Sequence, residues 1–271
     1  MPPVSPALRS AGRLEPISHS LATALQRVLL PAGLPDVPDW AMAALYEPAG
    51  EAVLVGGDFY DWFTLPNGHI LFFVGDVSGK GPLAGALAMS IRKALKGITW
   101  ITQDPAAALP ILEHALADEF QGSFATLCLV ELIPGEGRVR VVLAGHPAPW
   151  LRHDGQFVEV AAPPNSVLGP RIHDRWESVE LQLEASDMLM LFTDGLTEAR
   201  LASGQQFGDG PFQEYLPQLL PPLSSYETVL QTYEHVRQVA ALTDDVIISV
   251  LTFQPRSAVD PDVAVGSDSP A

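Results

Sequence analysis

The chain has 271 residues, 47% hydrophobic and 17% charged, enough for one large domain or two small ones with a substantial core. Fifteen basic against 32 acidic residues give a formal net charge of −17, which argues against nucleic-acid binding because phosphate contacts need Lys and Arg. One cysteine, Cys128, excludes an intrachain disulfide and a zinc cluster, and no apolar run reaches transmembrane length. The N-terminus shows no secretory leader pattern, so a soluble cytoplasmic protein without membrane contact is expected.

Residues 1–13 contain Pro and Ser and are expected to be disordered. Leu14, Ile17, Leu21, Leu25 and Val28 have helical spacing, and Pro31 closes that helix, 14–31. Strands are expected at 40–46, 53–63 and 70–76. A helix over 81–97 carries Leu83, Leu87, Ile91 and Leu95 at helical spacing, and a second, 105–120, sets Leu109, Leu112 and Leu116 on one face. Strands resume at 124–132, 139–144, 149–152, 157–160, 176–183 and 188–192. Helical pieces at 211–220 and 226–240 flank Pro221-Pro222, and the last strand is 246–252. These elements form one domain over 14–253, followed by a polar, disordered tail, 254–271. Strands and helices are grouped rather than alternating, which favours α+β over a doubly wound parallel sheet.

The most informative stretch is Gly56-Gly57-Asp58-Phe59-Tyr60-Asp61, followed by Gly75-Asp76-Val77-Ser78-Gly79-Lys80-Gly81. A Leu-Pro-Asn-Gly turn, Leu65 to Gly68, lies between them, so the flanking apolar segments read as a hairpin. If Pro66-Asn67-Gly68 is the loop and Leu65 faces His69, then Asp58 stands opposite Asp76. Like charges in that position destabilise a sheet, which implies a cation between them. Two other segments repeat the design. Asp187 to Gly195 is an apolar strand that ends in Asp194-Gly195, and Thr243-Asp244-Asp245 opens another. Any one of these aspartates would be ordinary turn chemistry. Four together, Asp58, Asp76, Asp194 and Asp244, with oxygen donors alone, suit a hard cation such as Mg²⁺ or Mn²⁺.

Five motifs carry a family resemblance: GGDFYD, GDVSGKG, AGHPAP, TDGLTEAR and DDVIISVL. They occur in the order seen in SpoIIE/RsbU-type serine/threonine phosphatases, a branch of the metal-dependent type 2C superfamily. The chain resembles that branch from about Leu25 to Phe253. The resemblance implies an α-β-β-α sandwich, with two central antiparallel sheets flanked by helices and the metal site at one end. It makes Asp58 and Asp76 core ligands, with Asp76 bridging two ions of Mn²⁺ or Mg²⁺. The Val77 carbonyl would be a further ligand, and Asp194 and Asp244 would complete the shell. These four aspartates are therefore the catalytic candidates. Gly75 and Gly79 would let the backbone approach the ions.

Asp245 is either a carboxylate of the site or a turn cap. Asp61 and Glu198 read as structural. His146 could donate a proton to the leaving oxygen, but a turn residue that hydrogen-bonds the backbone is the preferred reading. Ser78 occupies the place where the eukaryotic-like branch has a histidine. Lys80 is expected to face solvent.

The activity implied is hydrolysis of a phosphoserine or phosphothreonine monoester by a metal-activated water, without a covalent protein intermediate. The implied substrate is a phosphorylated STAS-type anti-anti-sigma factor in bacterial partner switching. A separate sensor or regulator chain and a homodimer are both compatible with this. The alternative is a catalytically inactive phosphatase fold used as a binding or regulatory module. A P-loop reading of Gly75 to Gly81 fails, because three residues separate Gly75 from Gly79 and Gly81 stands where Ser or Thr is needed. The chain also has no Gly-x-Ser-x-Gly elbow.

Overall fold

The strand β3 (Ile70–Val77) explains the architecture, because seven of its eight residues are buried. Successive strand residues point to opposite faces, so a strand this apolar must be covered on both. Ile70, Phe72 and Val74 pack between two sheets, while Leu71, Phe73 and Val77 pack against helices. The computed structural model describes residues 30–48, 56–172, 174–219 and 223–255. The helix expected over 14–31 falls almost wholly outside these, as do 1–13 and nearly all of 254–271.

One sheet has the order β2-β3-β4-β5-β8, built from β2 (Phe59–Thr64), β3, β4 (Ala125–Leu132), β5 (Arg138–Ala144) and β8 (Ser178–Gln182). The other has the order β1-β12-β9-β6-β7, built from β1 (Trp40–Glu47), β12 (Val246–Phe253), β9 (Met188–Phe192), β6 (Trp150–His153) and β7 (Gln156–Glu159). All pairings within both sheets are antiparallel.

The first sheet is covered by α1 (Pro82–Thr102) and α2 (Pro105–Ala115), whose Leu87, Ile91, Leu95, Leu109 and Leu112 meet Phe59, Phe63, Leu71 and Phe73. The second is covered by α5 (Pro211–Tyr215) and α6 (Ser225–Val239), where Phe212, Val229, Tyr233 and Val236 meet Met188, Met190, Val246, Ile248 and Val250. The result is the expected α-β-β-α sandwich with three apolar layers. No helix among the described residues is long and apolar enough to cross a membrane.

Local departures have physical causes. The expected strand over 53–63 begins only at Phe59 among the described residues, because Gly56 and Gly57 leave the sheet to pack on neighbouring loops. The helix over 105–120 breaks at Leu116, and a short α3 (Ala117–Phe120) follows. The helix begun at Pro211 tightens into a 3₁₀ turn at Leu216–Gln218, where Pro217 lacks the N–H that an α-helix would use. A four-residue α4 (Asp194–Thr197) and a small ribbon of β10 (Arg200–Leu201) and β11 (Ala240–Ala241) were not legible as periodic patterns. α6 opens on a capping box in which Ser224 and Glu227 satisfy each other's backbone.

Candidate metal centre

Antiparallel pairing brings the start of one strand beside the end of the next. β2 begins after Asp58 where β3 ends at Asp76 and Val77, and β12 begins after Asp245 where β9 gives way to Asp194. The hairpin has the expected register: Phe59 pairs with Gly75 and Thr64 with Ile70. The Leu65 N–H donates to the His69 carbonyl at 2.8 Å. Carried one residue past the ladder, this register sets Asp58 opposite Asp76.

The electrostatics of this end are strained. Asp58 is only 5% exposed, and its Oδ2 has no hydrogen-bond partner. Burial holds its carboxyl well above the usual carboxylate range, and the charges of Asp76 and Asp245 add to that, against a smaller opposing effect of the Thr193 side chain. Asp76 is pushed up to about 6, first by burial and then by Asp194, with smaller contributions from Asp244 and Asp245. Asp194 is raised by burial, then by Glu198 and Asp244. Thus Asp76 feels the charges of Asp194, Asp244 and Asp245, and Asp58 those of Asp76 and Asp245. No three His, Cys, Asp or Glu side chains among the described residues already form a closed metal cage. Like charges in a poorly solvated pocket hold one another apart.

The backbone around them is close-packed by glycine. A Cβ on Gly57 would lie 2.1 Å from the Val77 carbonyl oxygen and 2.8 Å from Asp76 Oδ1, so these two oxygens line one small space. A Cβ on Gly195 would lie 2.0 Å from the Asp245 carbonyl oxygen, and one on Gly56 would collide with Asp245 Oδ2. Gly75 and Gly79, expected to let the backbone approach the ions, have other surroundings. A Cβ on Gly75 would meet Leu127 and Phe59 in the core, and Gly79 has open space and a φ of 95°.

Asp245 is buried and accepts from the Tyr46 hydroxyl at 3.0 Å, so its contacts are structural while its charge acts on the site. Its own N–H donates to Asp244 Oδ1 at 2.8 Å. Asp61 accepts from Arg92 Nε at 3.1 Å and fastens α1 to β2, a structural role. Glu198 is exposed at the end of α4. Ser78 fixes the loop after β3: its N–H donates to the Phe124 carbonyl and its Oγ accepts from the Phe124 N–H, both at 2.9 Å. Lys80 does not simply face solvent, for its Nζ lies 2.8 Å from Asp244 Oδ1.

His146 is buried between the sheets. A carbonyl only accepts, so Nε2–H donates to the Phe192 carbonyl at 3.1 Å, and Nδ1 accepts from the Thr126 hydroxyl at 2.8 Å. Burial lowers its pKa to about 4, which keeps the ring neutral. Thr126 pairs with Asp76 across β3 and β4, and Phe192 lies two residues before Asp194. The imidazole therefore ties β4, the neighbour of the strand that carries Asp76, to β9, which leads into Asp194. Thr193 adds a tie within one sheet, between the end of β9 and β12, accepting from the Ile247 N–H at 2.9 Å through its hydroxyl oxygen. The contacts of Thr126, Thr193 and Tyr46 carried no signal in the sequence, because each partner is distant along the chain.

The donor set fits a hard cation: it is all oxygen, it includes a buried Asp58 Oδ2 without a partner, and the Val77 carbonyl opens beside Asp76. Two antiparallel sheets between helices, with carboxylates gathered at one end, define the fold of the PP2C phosphatases. The SiaA-PP2C domain of Pseudomonas aeruginosa superposes with a TM-score of 0.73 at 22% identity, covering 91% of this chain and 99% of that domain. The family profile of Stage II sporulation protein E (SpoIIE) matches residues 66–254, and the chain belongs to that family. It is similar to the phosphoserine phosphatase RsbU of Bacillus subtilis, 27% identical over 85% of this chain and 68% of RsbU. It is also similar to Protein IcfG of Synechocystis, 24% identical over 71% of this chain but only 34% of IcfG. The chain thus spans about a third of IcfG and about two thirds of RsbU.

Proposed function

We propose that the protein is a Mg²⁺- or Mn²⁺-dependent serine/threonine phosphatase, with Asp58, Asp76, the Val77 carbonyl, Asp194 and Asp244 as the metal-holding set. The observation that carries this reading is the buried Asp58, whose Oδ2 has no partner and which faces Asp76 in a chain of the SpoIIE family. PP2C neighbours support the cofactor: PstP was solved with two manganese ions and RsbX with magnesium. Such ions, when bound, acidify a water for attack and neutralise the phosphate.

The chain's own residues do the positioning. Gly57 and Gly195 let the loops close on Val77 and Asp245, His146 ties the two sheets together at this end, and Thr193 joins the end of β9 to β12. His146 is not a free proton donor, because its one N–H is committed to the Phe192 carbonyl. The net charge of −17 repels phosphorylated proteins at long range, so recognition must be local.

We place the substrate among phosphorylated STAS-type anti-anti-sigma factors in the cytoplasm, with a separate sensor or regulator chain. The support is the likeness to RsbU, a phosphoserine phosphatase, and to a Mycobacterium tuberculosis structure that joins RsbU and RsbW domains. The test is release of phosphate from such a protein and from p-nitrophenyl phosphate as Mn²⁺ is varied, with Asp76→Asn as control. Metal-dependent turnover that falls by on the order of 10³-fold in Asp76→Asn is expected. A folded protein that hydrolyses neither substrate at any metal concentration would instead be an inactive binding module.

A further inference from the structure

Lys80 follows β3 of one sheet and Asp244 precedes β12 of the other, and their side chains meet at the candidate centre. Lys80 Nζ lies 2.8 Å from Asp244 Oδ1 and 3.5 Å from the Thr243 carbonyl oxygen. Both side chains are 44% exposed, and an ion pair at such a surface is usually worth little. Here both partners are held in place before they meet. Lys80 sits between Gly79 and Gly81, whose φ angles of 95° and 96° only glycine adopts readily. Ser78 is bonded twice to Phe124 on one side, and α1 starts at Pro82 on the other. Asp244 Oδ1 is fixed by the Asp245 N–H at 2.8 Å, and Asp245 is held in turn by Tyr46.

We infer that Lys80 is an internal cation that occupies Asp244 until a metal ion displaces it. This rests on the metal-binding reading above. An oxygen that already accepts from an ammonium and an amide N–H has no lone pair left for a metal. Loading through Oδ1 of Asp244 is therefore an exchange of one cation for another, and Lys80 competes with the metal there. The same contact closes the loop after β3 onto the loop before β12, which holds the metal-free site together at its mouth.

The experiment is titration calorimetry of Mn²⁺ into the full chain. The proteins are the native form, Lys80→Met, Lys80→Gln, Lys80→Arg, Asp76→Asn and, as a remote charge control, Lys96→Met. Lys96 lies over the Phe63 ring, 5.9 Å from its centroid. Lys80→Met and Lys80→Gln should bind Mn²⁺ roughly two- to fivefold more tightly, the range of an exposed ion pair. Lys80→Arg keeps a cation opposite Asp244 and should stay close to the native value, as should Lys96→Met. Affinity in Lys80→Met and Lys80→Gln equal to or weaker than native overturns the inference while the metal reading stands. Equal tightening in Lys96→Met also overturns it, since loss of any positive charge would then suffice. Native protein that binds no Mn²⁺, or Asp76→Asn that binds it normally, sinks the metal reading and this inference with it.

Discussion

Two groups of buried carboxylates sit in this molecule, and the fold treats them oppositely. Glu113 on α2 accepts from the Gly169 and Arg171 N–H groups at 2.7 and 3.0 Å. Glu131 on β4 accepts from His69 Nδ1 at 2.7 Å; its other oxygen, Oε2, takes no hydrogen bond but faces a cation, Arg140 Nη1 at 3.3 Å. Asp187 accepts from the Glu184 N–H at 2.8 Å and from His153 Nδ1 at 2.9 Å. Asp58 is as buried as these, yet one of its oxygens has no partner and its neighbours are Asp76 and Asp245. An unpaired buried carboxylate costs several kcal/mol unless it takes up a proton or a cation. The chain gives the three acids elsewhere amide donors or a basic side chain of its own, whereas Asp58 has acids for neighbours, which leaves this end for a ligand that brings its own positive charge.

The largest way to break that contrast is to crowd the carboxylate end without touching a charge. Gly57→Ala would put a methyl group 2.1 Å from the Val77 carbonyl oxygen, so the 56–58 loop or Val77 must move. A displacement near 1 Å in such a site costs about 10²-fold. Mn²⁺ affinity and turnover should both fall by about that much. An unchanged Kd would show that the Val77 carbonyl is not part of the centre.

Neutralising one acid from each group should move stability in opposite directions. Asp76 titrates near 6 in the fold, above its unfolded value of about 3.9. Its contribution to the metal-free fold is then full below about pH 4 and is lost as pH rises through 6. At pH 7 the ionised side chain weakens the fold, and Asp76→Asn should stabilise it by on the order of 1–3 kcal/mol. Glu113→Gln keeps one oxygen for the two amides but loses the charge that strengthens both bonds, and should cost about 1 kcal/mol. Thermal or urea unfolding of chelator-treated protein measures both, and two shifts of the same sign would erase the distinction between the groups.

Much of the fold could be read from the sequence because it depends on local pattern. The strand Met188–Phe192 and the Pro66-Asn67-Gly68 hairpin register follow from apolar runs and a turn. That register is why Asp58 and Asp76 could be paired on paper. What escaped depends on what lies across a gap in space. Gly195 is needed because Asp245, fifty residues on, packs against it, and Gly57 because the Val77 carbonyl does. Lys80 looked like a free surface lysine because nothing near it in sequence announces Asp244.

A smaller effect follows from proton competition. A metal ion that binds Asp76 must displace the proton held there below about pH 6. Mn²⁺ affinity should be nearly flat above pH 7 and weaken by up to about tenfold per pH unit below 6 for each proton displaced. Calorimetry in buffers of different ionisation heat counts the protons released. No release at pH 5.5 would place the metal away from Asp76.

The smallest effect tests the brace between the sheets. Thr126→Val keeps the shape of the side chain but removes the hydroxyl that donates to His146 Nδ1. The bond from Nε2–H to Phe192 can survive, so the loss is one buried hydrogen bond, about 1 kcal/mol. If the imidazole merely fills space, unfolding stability drops by that amount and Mn²⁺ affinity does not change. If it sets the spacing between the strands that carry Asp76 and Asp194, affinity falls a few-fold at a pH where His146 is neutral in either case, because Thr126 lies opposite Asp76 and Phe192 leads into Asp194. The two readouts separate a packing role from a positioning one, since only the second passes through the carboxylates.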